Sequence, residues 1–270
     1  MSRQPDHPPP PPVVQRLAIR YAKRGRLRFT SHRDFARAFE RALRRAGIPM
    51  AYSAGFSPHP KISYVGAAPT GVASEAEYLE IGLAEPREPE QVRRELDAAL
   101  PPGLDVVAVV ETAQRGLAER VEASRWRLEL PGVEPDEARA AVLRFLALET
   151  APVERLMKDG PRTIDARAAV VGMAMRGETD TSDTCAIIAM VVRHTTPAVR
   201  PDDVLTALRQ AAALSTPVTP VVTRLAQGLL GETPPAPGAL PLLADPLVPD
   251  AVAAGPHEDA ARSTIGLPPE

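Results

Sequence analysis

Residues 16–47 read RLAIRYAKRGRLRFTSHRDFARAFERALRRAG, a predicted strand followed by a predicted helix. Apolar side chains alternate with basic or small ones from Arg16 to Thr30, with one interruption at Arg24-Gly25. A period of two is typical of a strand with one buried face, and a glycine allows the strand to bend. The segment therefore predicts a half-buried strand that is bent or broken at Gly25.

The helix is predicted to begin at Ser31, a preferred N-cap residue, with Asp34 three residues later as in a capping box. Apolar residues then recur at helical spacing up to Gly47: Phe35, Ala38, Phe39, Ala42, Leu43 and Ala46. This spacing predicts an amphipathic helix that lays its apolar stripe on the strand.

Working outward from this pair, the pattern predicts four more elements in the first half of the chain. A strand within residues 51–69 is interrupted by the SPHP loop, and a second strand covers residues 77–83. A helix at residues 89–100 and a strand at residues 104–110 follow. The order is β-α-β-β-α-β, which is that of a ferredoxin-like unit.

The second half repeats this order of elements. Its strands are predicted at residues 124–130, 164–175, 185–194 and 218–225, and its helices at residues 135–148 and from Pro201 onward. We therefore expect an α+β protein with two ferredoxin-like βαββαβ units in tandem, at residues 16–113 and 114–230. Proline-rich tails at residues 1–15 and 231–270 are expected to be disordered.

The charge of the chain is strongly polarised. The formal net charge is −2, yet residues 1–65 contain 13 Arg or Lys against 3 Asp or Glu. A basic end of this kind attracts polyanions, and RNA is the commonest polyanion in a cell. The first unit is therefore the candidate binding unit.

Basic side chains of the predicted helix fall on one face. Arg33, Arg37, Arg41 and Arg44 are spaced i, i+4, i+8 and i+11, and Arg45 widens the row. The strand predicts a second row on a sheet face that ferredoxin-like domains leave open: Arg16, Arg20, Arg26 and Arg28. Both rows are candidate phosphate contacts, with solvated surface as the alternative.

Aromatic side chains are not expected to take part in binding. The strand pattern places Tyr21 and Phe29 on the buried face and leaves Tyr78 exposed. Recognition of phosphates or of shape is therefore expected, rather than stacking on bases.

Two further segments are candidate binding sites. Residues 52–61, YSAGFSPHPK, form a stiff polar loop in which Gly55, His59 and Lys61 could contact a ligand. Around the Asp159-Gly160 turn, Lys158 and Arg162 form a smaller basic hairpin together with Arg155 and Arg167, and Asp165 beside it could be an ion-pair partner. A plain connecting turn and a solvated hairpin are the alternatives.

The composition excludes several classes of function. Cys185 is the only cysteine, so the chain forms no intrachain disulfide and cannot hold an iron–sulfur cluster by itself. The five histidines have no metal-binding spacing, and no nucleotide-binding or nucleophile motif is present, so neither a metal nor a cofactor is expected. No apolar run reaches the roughly 20 residues of a membrane helix. A cytoplasmic protein without membrane contact is expected.

The run RGRLRFTSHRDFARAFERALRRAGIPMAYSAGFSPHPKISY at residues 24–64, followed by EAEYLEIGL at residues 75–83, resembles the radical-SAM-associated protein family (domain of unknown function 2344). LMKDGPRTIDAR at residues 156–167 is similar to a second basic segment of that family. The family's domain occurs alone or fused behind a cobalamin-binding radical SAM enzyme. The resemblance implies a stand-alone companion of a separate radical SAM enzyme.

The paired architecture also resembles the CRISPR repeat-processing endoribonucleases, which cleave RNA without metal, often with a histidine. Those enzymes carry a glycine-rich loop near the C-terminus, where this chain has only QGLLG at residues 227–231. On that alternative His32 and His59 would be the catalytic residues. Three hypotheses therefore remain: a non-catalytic accessory protein that binds tRNA or rRNA, a protein-interaction module without RNA, and a metal-independent endoribonuclease.

Overall fold

The structure is a computed structural model that describes residues 11–112, 116–176, 185–231 and 239–247. Within these ranges the chain has a mixed α+β fold dominated by one large sheet. The strands are β1 Gln15–Lys23, β2 Ile62–Val65, β3 Ala73–Leu83, β4 Leu104–Glu111, β5 Ala123–Pro131, β6 Pro152–Met157, β7 Gly160–Asp165, β8 Val170–Arg176, β9 Cys185–Arg193, β10 Val221–Leu230 and β11 Leu243–Ala244. The helices are α1 His32–Arg45, α2 Pro89–Ala99, α3 Pro135–Leu146, α4 Ala166–Ala169 and α5 Pro201–Ala211.

The large sheet has nine strands and crosses both halves of the chain. Its central path is β4-β1-β3-β10-β5-β9-β8, with β2 paired to β3 and β11 paired to β10. The two halves meet where β10 runs parallel to β3, at the pairs Thr223↔Ala73 and Arg224↔Ser74. Because β10 also pairs antiparallel with β5, hydrogen bonding is continuous from one half to the other.

Each half has its own core. The first core packs α1 and α2 on the sheet through side chains such as Ile19, Phe35, Phe39, Leu79 and Leu96. The second core packs α3, α5 and the β6–β7 hairpin on the other half of the sheet. The expected α+β class is confirmed, and α1 and α2 begin and end within a residue or two of the sequence expectation.

The first strand is shorter than the sequence predicts. β1 ends at Lys23, and residues Gly25–Phe29 form a 3-10 helix instead of a continuation of the strand. Gly25 has a φ of 54°, and the amide of Leu27 donates to the carbonyl of Arg24 at 3.1 Å. Arg26 and Arg28 are therefore not on the strand face, and Phe29 is 59% exposed rather than buried.

The second face of the first half is covered, contrary to the expected open sheet. Ala18 and Tyr78 on this face pack against Leu117, Val121 and Leu247. Tyr78, expected to be exposed, is 2% exposed, and its hydroxyl donates to Asp245 at 3.3 Å. The cover comes from distant parts of the chain, so the local alternation could not reveal it.

Residues 239–247 lie within the segment that the sequence predicts to be disordered, and this part of the prediction is wrong. β11 pairs with β10 through Leu229↔Ala244 and Leu230↔Leu243. We call residues 239–247 the strap, because they cross the covered face and end at buried Leu247. Residues 1–10 of the predicted N-terminal tail and residues 232–238 and 248–270 of the predicted C-terminal tail lie outside the described residues.

The strand predicted at residues 164–175 is also wrong in part. Asp165 ends β7 and caps α4, since its carboxylate accepts from the amides of Arg167 and Ala168. β7 belongs to a separate hairpin with β6, whereas β8 joins the large sheet. Among the residues described, no helix has both the length and the apolar character needed to cross a membrane.

Candidate nucleic-acid interface

Helix α1 presents two opposite faces. Ser31 caps its N-terminus by accepting from the amide of Asp34 at 3.2 Å, and Phe35, Phe39, Ala42 and Leu43 are buried on the sheet. The opposite face is exposed and carries the four arginines spaced by one helical turn: Arg33, Arg37, Arg41 and Arg44. None of the four forms an ion pair with any residue that the structure describes. We call this set the arginine face.

The two carboxylates of α1 do not neutralise the arginine face. Asp34 accepts a 2.7 Å hydrogen bond from the Ser31 hydroxyl and so belongs to the cap. Glu40 is half-buried towards Tyr64 on β2. Burial and the nearby Glu40 carboxylate raise the pKa of Tyr64 to about 12.

Arg45 differs from the other arginines of α1. Its guanidinium donates to the carbonyl of Ala99, the last residue of α2, at 3.1 Å. Arg45 is exposed in part and also joins the two helices of the first half. Its position in the last turn is favourable in itself, because a cation there interacts well with the helix dipole.

The second predicted row of arginines does not exist as an open row. Arg20 forms an ion pair with Asp245 of the strap at 3.1 Å and donates to the carbonyl of Glu75. Arg16 is half-buried on the same face, whereas Arg26 is exposed on the 3-10 helix. The Arg28 guanidinium lies 4.8 Å from the centre of the Phe29 ring.

The loop of residues 52–61 is closed on itself at the edge of the sheet. The amide of Ser53 donates to the carbonyl of His59 at 2.9 Å, and the amide of His59 donates to the Ser53 hydroxyl at 3.0 Å. Gly55 has a φ of 126°, a backbone conformation that residues other than glycine rarely adopt. His59 and Lys61 are both exposed.

The histidines of the alternative catalytic reading have different surroundings. The ring of His32 packs edge-on against Tyr64, with 4.9 Å between ring centres. It forms no hydrogen bond with a residue in the described ranges. His59 is held only through its backbone, so neither imidazole has the oriented partner that a general base uses.

The second basic segment divides in two. Lys158 and Arg162 are exposed on the β6–β7 hairpin. Arg155 instead forms an ion pair with the buried Asp203 at 2.7 Å. The guanidinium of Arg167 donates to the carbonyl of Val170 at 3.0 Å, so these two arginines hold the second core together.

The junction of the two halves contains a buried polar cluster that the sequence did not suggest. Arg224 and Glu77, 3% and 2% exposed, form an ion pair, and Arg224 also donates to Gln227 at 3.0 Å. At the edge of this cluster, the hydroxyl of buried Ser124 lies 2.7 Å from Nε2 of His194, a residue exposed in part whose Nδ1 is 3.1 Å from the Val121 carbonyl. Partial burial of the imidazole, together with the charge of Arg224, lowers the pKa of His194.

Comparison with solved structures gives distant likenesses. A Cbf5-Nop10-Gar1 complex matches 84% of this chain at 10% identity with a TM-score of 0.42, and the chain spans only 55% of the matched chain. An unknown protein from Galdieria sulphuraria matches 78% of this chain and 98% of its own at 12% identity and a TM-score of 0.23. The first two RRM domains of yeast poly(U)-binding protein (Pub1) match 76% of this chain and 98% of their own at 8% identity and a TM-score of 0.18.

No curated protein matches the chain in sequence. One family model does match, over residues 16–201, which includes the arginine face, the loop at residues 52–61 and the β6–β7 hairpin. The match covers more than half of the sequence. The chain therefore belongs to the family described as an uncharacterized protein conserved in bacteria (DUF2344).

Proposed function

We propose that this protein binds RNA through phosphate contacts on α1 and acts as a non-catalytic accessory protein. The observation that carries the proposal is the arginine face: four exposed guanidinium groups on one side of one helix, unpaired with any described carboxylate. Elsewhere in the described ranges, buried or partly buried arginines such as Arg20, Arg155 and Arg224 form ion pairs with carboxylates. An unpaired row is available to an external polyanion.

The dimensions of the arginine face suit a nucleic-acid backbone. From Arg33 to Arg44 the row extends about 16 Å along the helix axis. Several successive phosphates fit within this length, and guanidinium groups bind phosphate oxygens with two parallel hydrogen bonds. Contacts of this kind fix the position of an RNA but read no sequence.

We further propose that the two halves are ferredoxin-like units, at residues 16–113 and 114–230. The first half has the strand order β4-β1-β3-β2 and the second half β10-β5-β9-β8, so each reads fourth, first, third, second once the β6–β7 hairpin and α4 are treated as an insertion. This is the order that the βαββαβ connection produces. In this proposal residues 1–15 and 231–270 belong to neither unit.

The partner proposed for this protein is a radical SAM enzyme on a separate polypeptide in the cytoplasm. Support comes from the sequence resemblance described above and from the single cysteine, Cys185, which is too few for a cluster of its own. In this proposal the accessory protein holds tRNA or rRNA and presents it to the enzyme.

The decisive experiment is to replace Arg33, Arg37, Arg41 and Arg44 together by Gln. We expect the affinity for labelled RNA to fall roughly 100- to 1,000-fold at 0.1 M salt, and the slope of log affinity against log salt to fall by about 3. The matched control replaces four exposed arginines elsewhere: Arg94, Arg139, Arg193 and Arg209. Both variants lose the same charge, so a specific arginine face predicts a large effect only for the first.

The competing functions give different outcomes when the wild type and the variants are tested for RNA affinity, RNA cleavage and partner binding. Equal RNA affinity for the two variants would exclude the arginine face as the binding site. Cleavage of RNA in EDTA by the wild type, abolished by His32→Ala or His59→Ala, would indicate the endoribonuclease. The protein-interaction module would be indicated if the wild type had no RNA affinity and kept a protein partner after ribonuclease treatment, and if the variant without the four α1 arginines lost that partner.

A further inference from the structure

Phe56 is the most exposed large apolar side chain that the structure describes, with 86% of its surface accessible. Its neighbours in sequence are polar or small, so no local apolar cluster explains the position. A single exposed apolar residue is ordinary in a protein surface. The geometry of the loop and its charge make this residue different.

The loop displays Phe56 in a defined conformation. Two hydrogen bonds between Ser53 and His59 and a bridge between Tyr52 and Pro60 close the loop at its base. Within it, Gly55 adopts a left-handed backbone conformation and two prolines restrict the chain. The ring is therefore presented by a closed loop, and little conformational freedom remains to be lost on binding.

The stretch of sequence around Phe56 favours a negatively charged ligand. No Asp or Glu occurs between residues 41 and 74, whereas this stretch contains Arg41, Arg44, Arg45 and Lys61. His59 and Lys61, at the base of the loop, are exposed. Proteins that bind single-stranded nucleic acid combine these two elements, since cations track the phosphates and an aromatic ring stacks on a base.

We infer that Phe56 stacks on an unpaired base of the bound RNA. This inference rests on the proposed function and narrows its ligand to single-stranded RNA, or to a loop or bulge in a folded RNA. A base inside a duplex is already stacked on its neighbours and offers no free face to the ring. The sequence led us to expect phosphate contacts and no stacking on bases. For Phe56 alone, we now infer stacking.

The test compares Phe56→Ala, Phe56→Trp and Leu143→Ala with the wild type. Leu143 is a matched control, because it is 64% exposed and lies on α3, outside the basic unit. Affinities for labelled oligouridine and for a labelled RNA duplex are measured by fluorescence anisotropy at several salt concentrations. We expect F56A to weaken oligouridine binding roughly 5- to 150-fold with an unchanged salt slope, and to leave duplex binding unchanged.

Phe56→Trp provides a direct signal for stacking. The only other tryptophan, Trp126, is 5% exposed, so oligouridine should quench the emission of the added indole. We expect F56W to retain the oligouridine affinity and L143A to behave as the wild type.

Wild-type affinity for oligouridine in F56A, or an equal loss for oligouridine and duplex, would overturn the stacking inference while RNA binding through the arginine face stands. If the wild type binds neither RNA, the proposed function fails and this inference fails with it. Loss of a protein partner in F56A, with unchanged oligouridine affinity, would assign Phe56 to a protein contact instead.

Discussion

The arginines of α1 and Arg224 at the sheet junction have opposite environments. Arg33, Arg37 and Arg41 are exposed and have no ion-pair partner among the described residues, whereas Arg224 is 3% exposed and paired with Glu77. The residue type is the same in both places, so the environment makes the difference. Inside the protein an arginine pairs with a carboxylate and joins the two halves, whereas on the surface the arginines of α1 are available to an external ligand.

The two environments predict opposite responses to substitution. Removing a buried partner leaves an uncompensated charge in a medium that solvates it poorly, so the fold is destabilised. Removing an exposed unpaired guanidinium changes the free energy of unfolding little, since water solvated it in both states. Stability and RNA affinity should therefore be lost by different sets of variants.

The largest effect is expected for Arg224→Met. It leaves the Glu77 carboxylate, 2% exposed, without its ion-pair partner, and we expect the free energy of unfolding to fall by about 3–5 kcal/mol. Denaturant unfolding measures the loss. In the double variant R224M/E77Q the Gln oxygen can still accept from the amide of Ala68, as Glu77 does at 3.0 Å. The double variant should recover most of the stability, and no recovery would mean that the pair is not the cause.

The next effect tests how the strap is attached. A Cβ atom at Gly228 would collide with the carbonyl of Ala244, so Gly228→Ala should displace β11 from β10. We expect a loss of about 1–3 kcal/mol and faster hydrogen exchange at residues 243–247. Gly231→Ala is the matched control, since its added carbon would meet Leu242 at an ordinary 3.5 Å. Equal exchange in the two variants would contradict the close contact.

A smaller effect is expected at Arg20, which is intermediate between the two groups. Its ion pair with Asp245 is partly exposed, with 26% and 32% of the two side chains accessible, so Arg20→Gln should cost about 0.5–1 kcal/mol. The loss should shrink in high salt. Arg16→Gln, on the same face, is the control. If R20Q instead lowered RNA affinity as strongly as the four changes on α1, the strap would not mask this face.

The sequence predicts the arginine face because all of its determinants are local. Ser31, the apolar spacing and the i, i+4 arginines lie within one helix, and so its burial pattern follows from its own residues. Whether Arg20 and Arg224 are paired depends on carboxylates that are 225 and 147 residues away in the chain. The local periodicity of the sequence contains no information about such distant partners. The junction of β3 and β10 is equally hidden, because only two residue pairs form it.

The same limit explains the errors at residues 24–30 and at Tyr78. The alternation of Arg26, Leu27 and Arg28 fits a strand, but the positive φ of Gly25 and the hydrogen bonds of the following turn produce a 3-10 helix. Tyr78 alternates outward as predicted, and the strap together with Leu117 and Val121 then buries it. Periodicity identifies which side of a strand a residue occupies, whereas burial of that side depends on what the rest of the chain places there.

The smallest effect is expected at His194, which lies at the edge of the junction. Its Nδ1 contacts the Val121 carbonyl and its Nε2 contacts the Ser124 hydroxyl, an arrangement that fits the neutral ring. Partial burial of the imidazole and the charge of Arg224 lower the pKa of His194 in the folded state below its ordinary 6.5. As the pH falls through 6.5, the unfolded chain therefore binds this proton first, and the folded state loses stability relative to it.

We expect the stability difference between the wild type and His194→Gln to be largest above pH 7 and to decrease towards pH 5. A constant difference for H194Q across this range would mean that the junction does not sense the charge of its histidine.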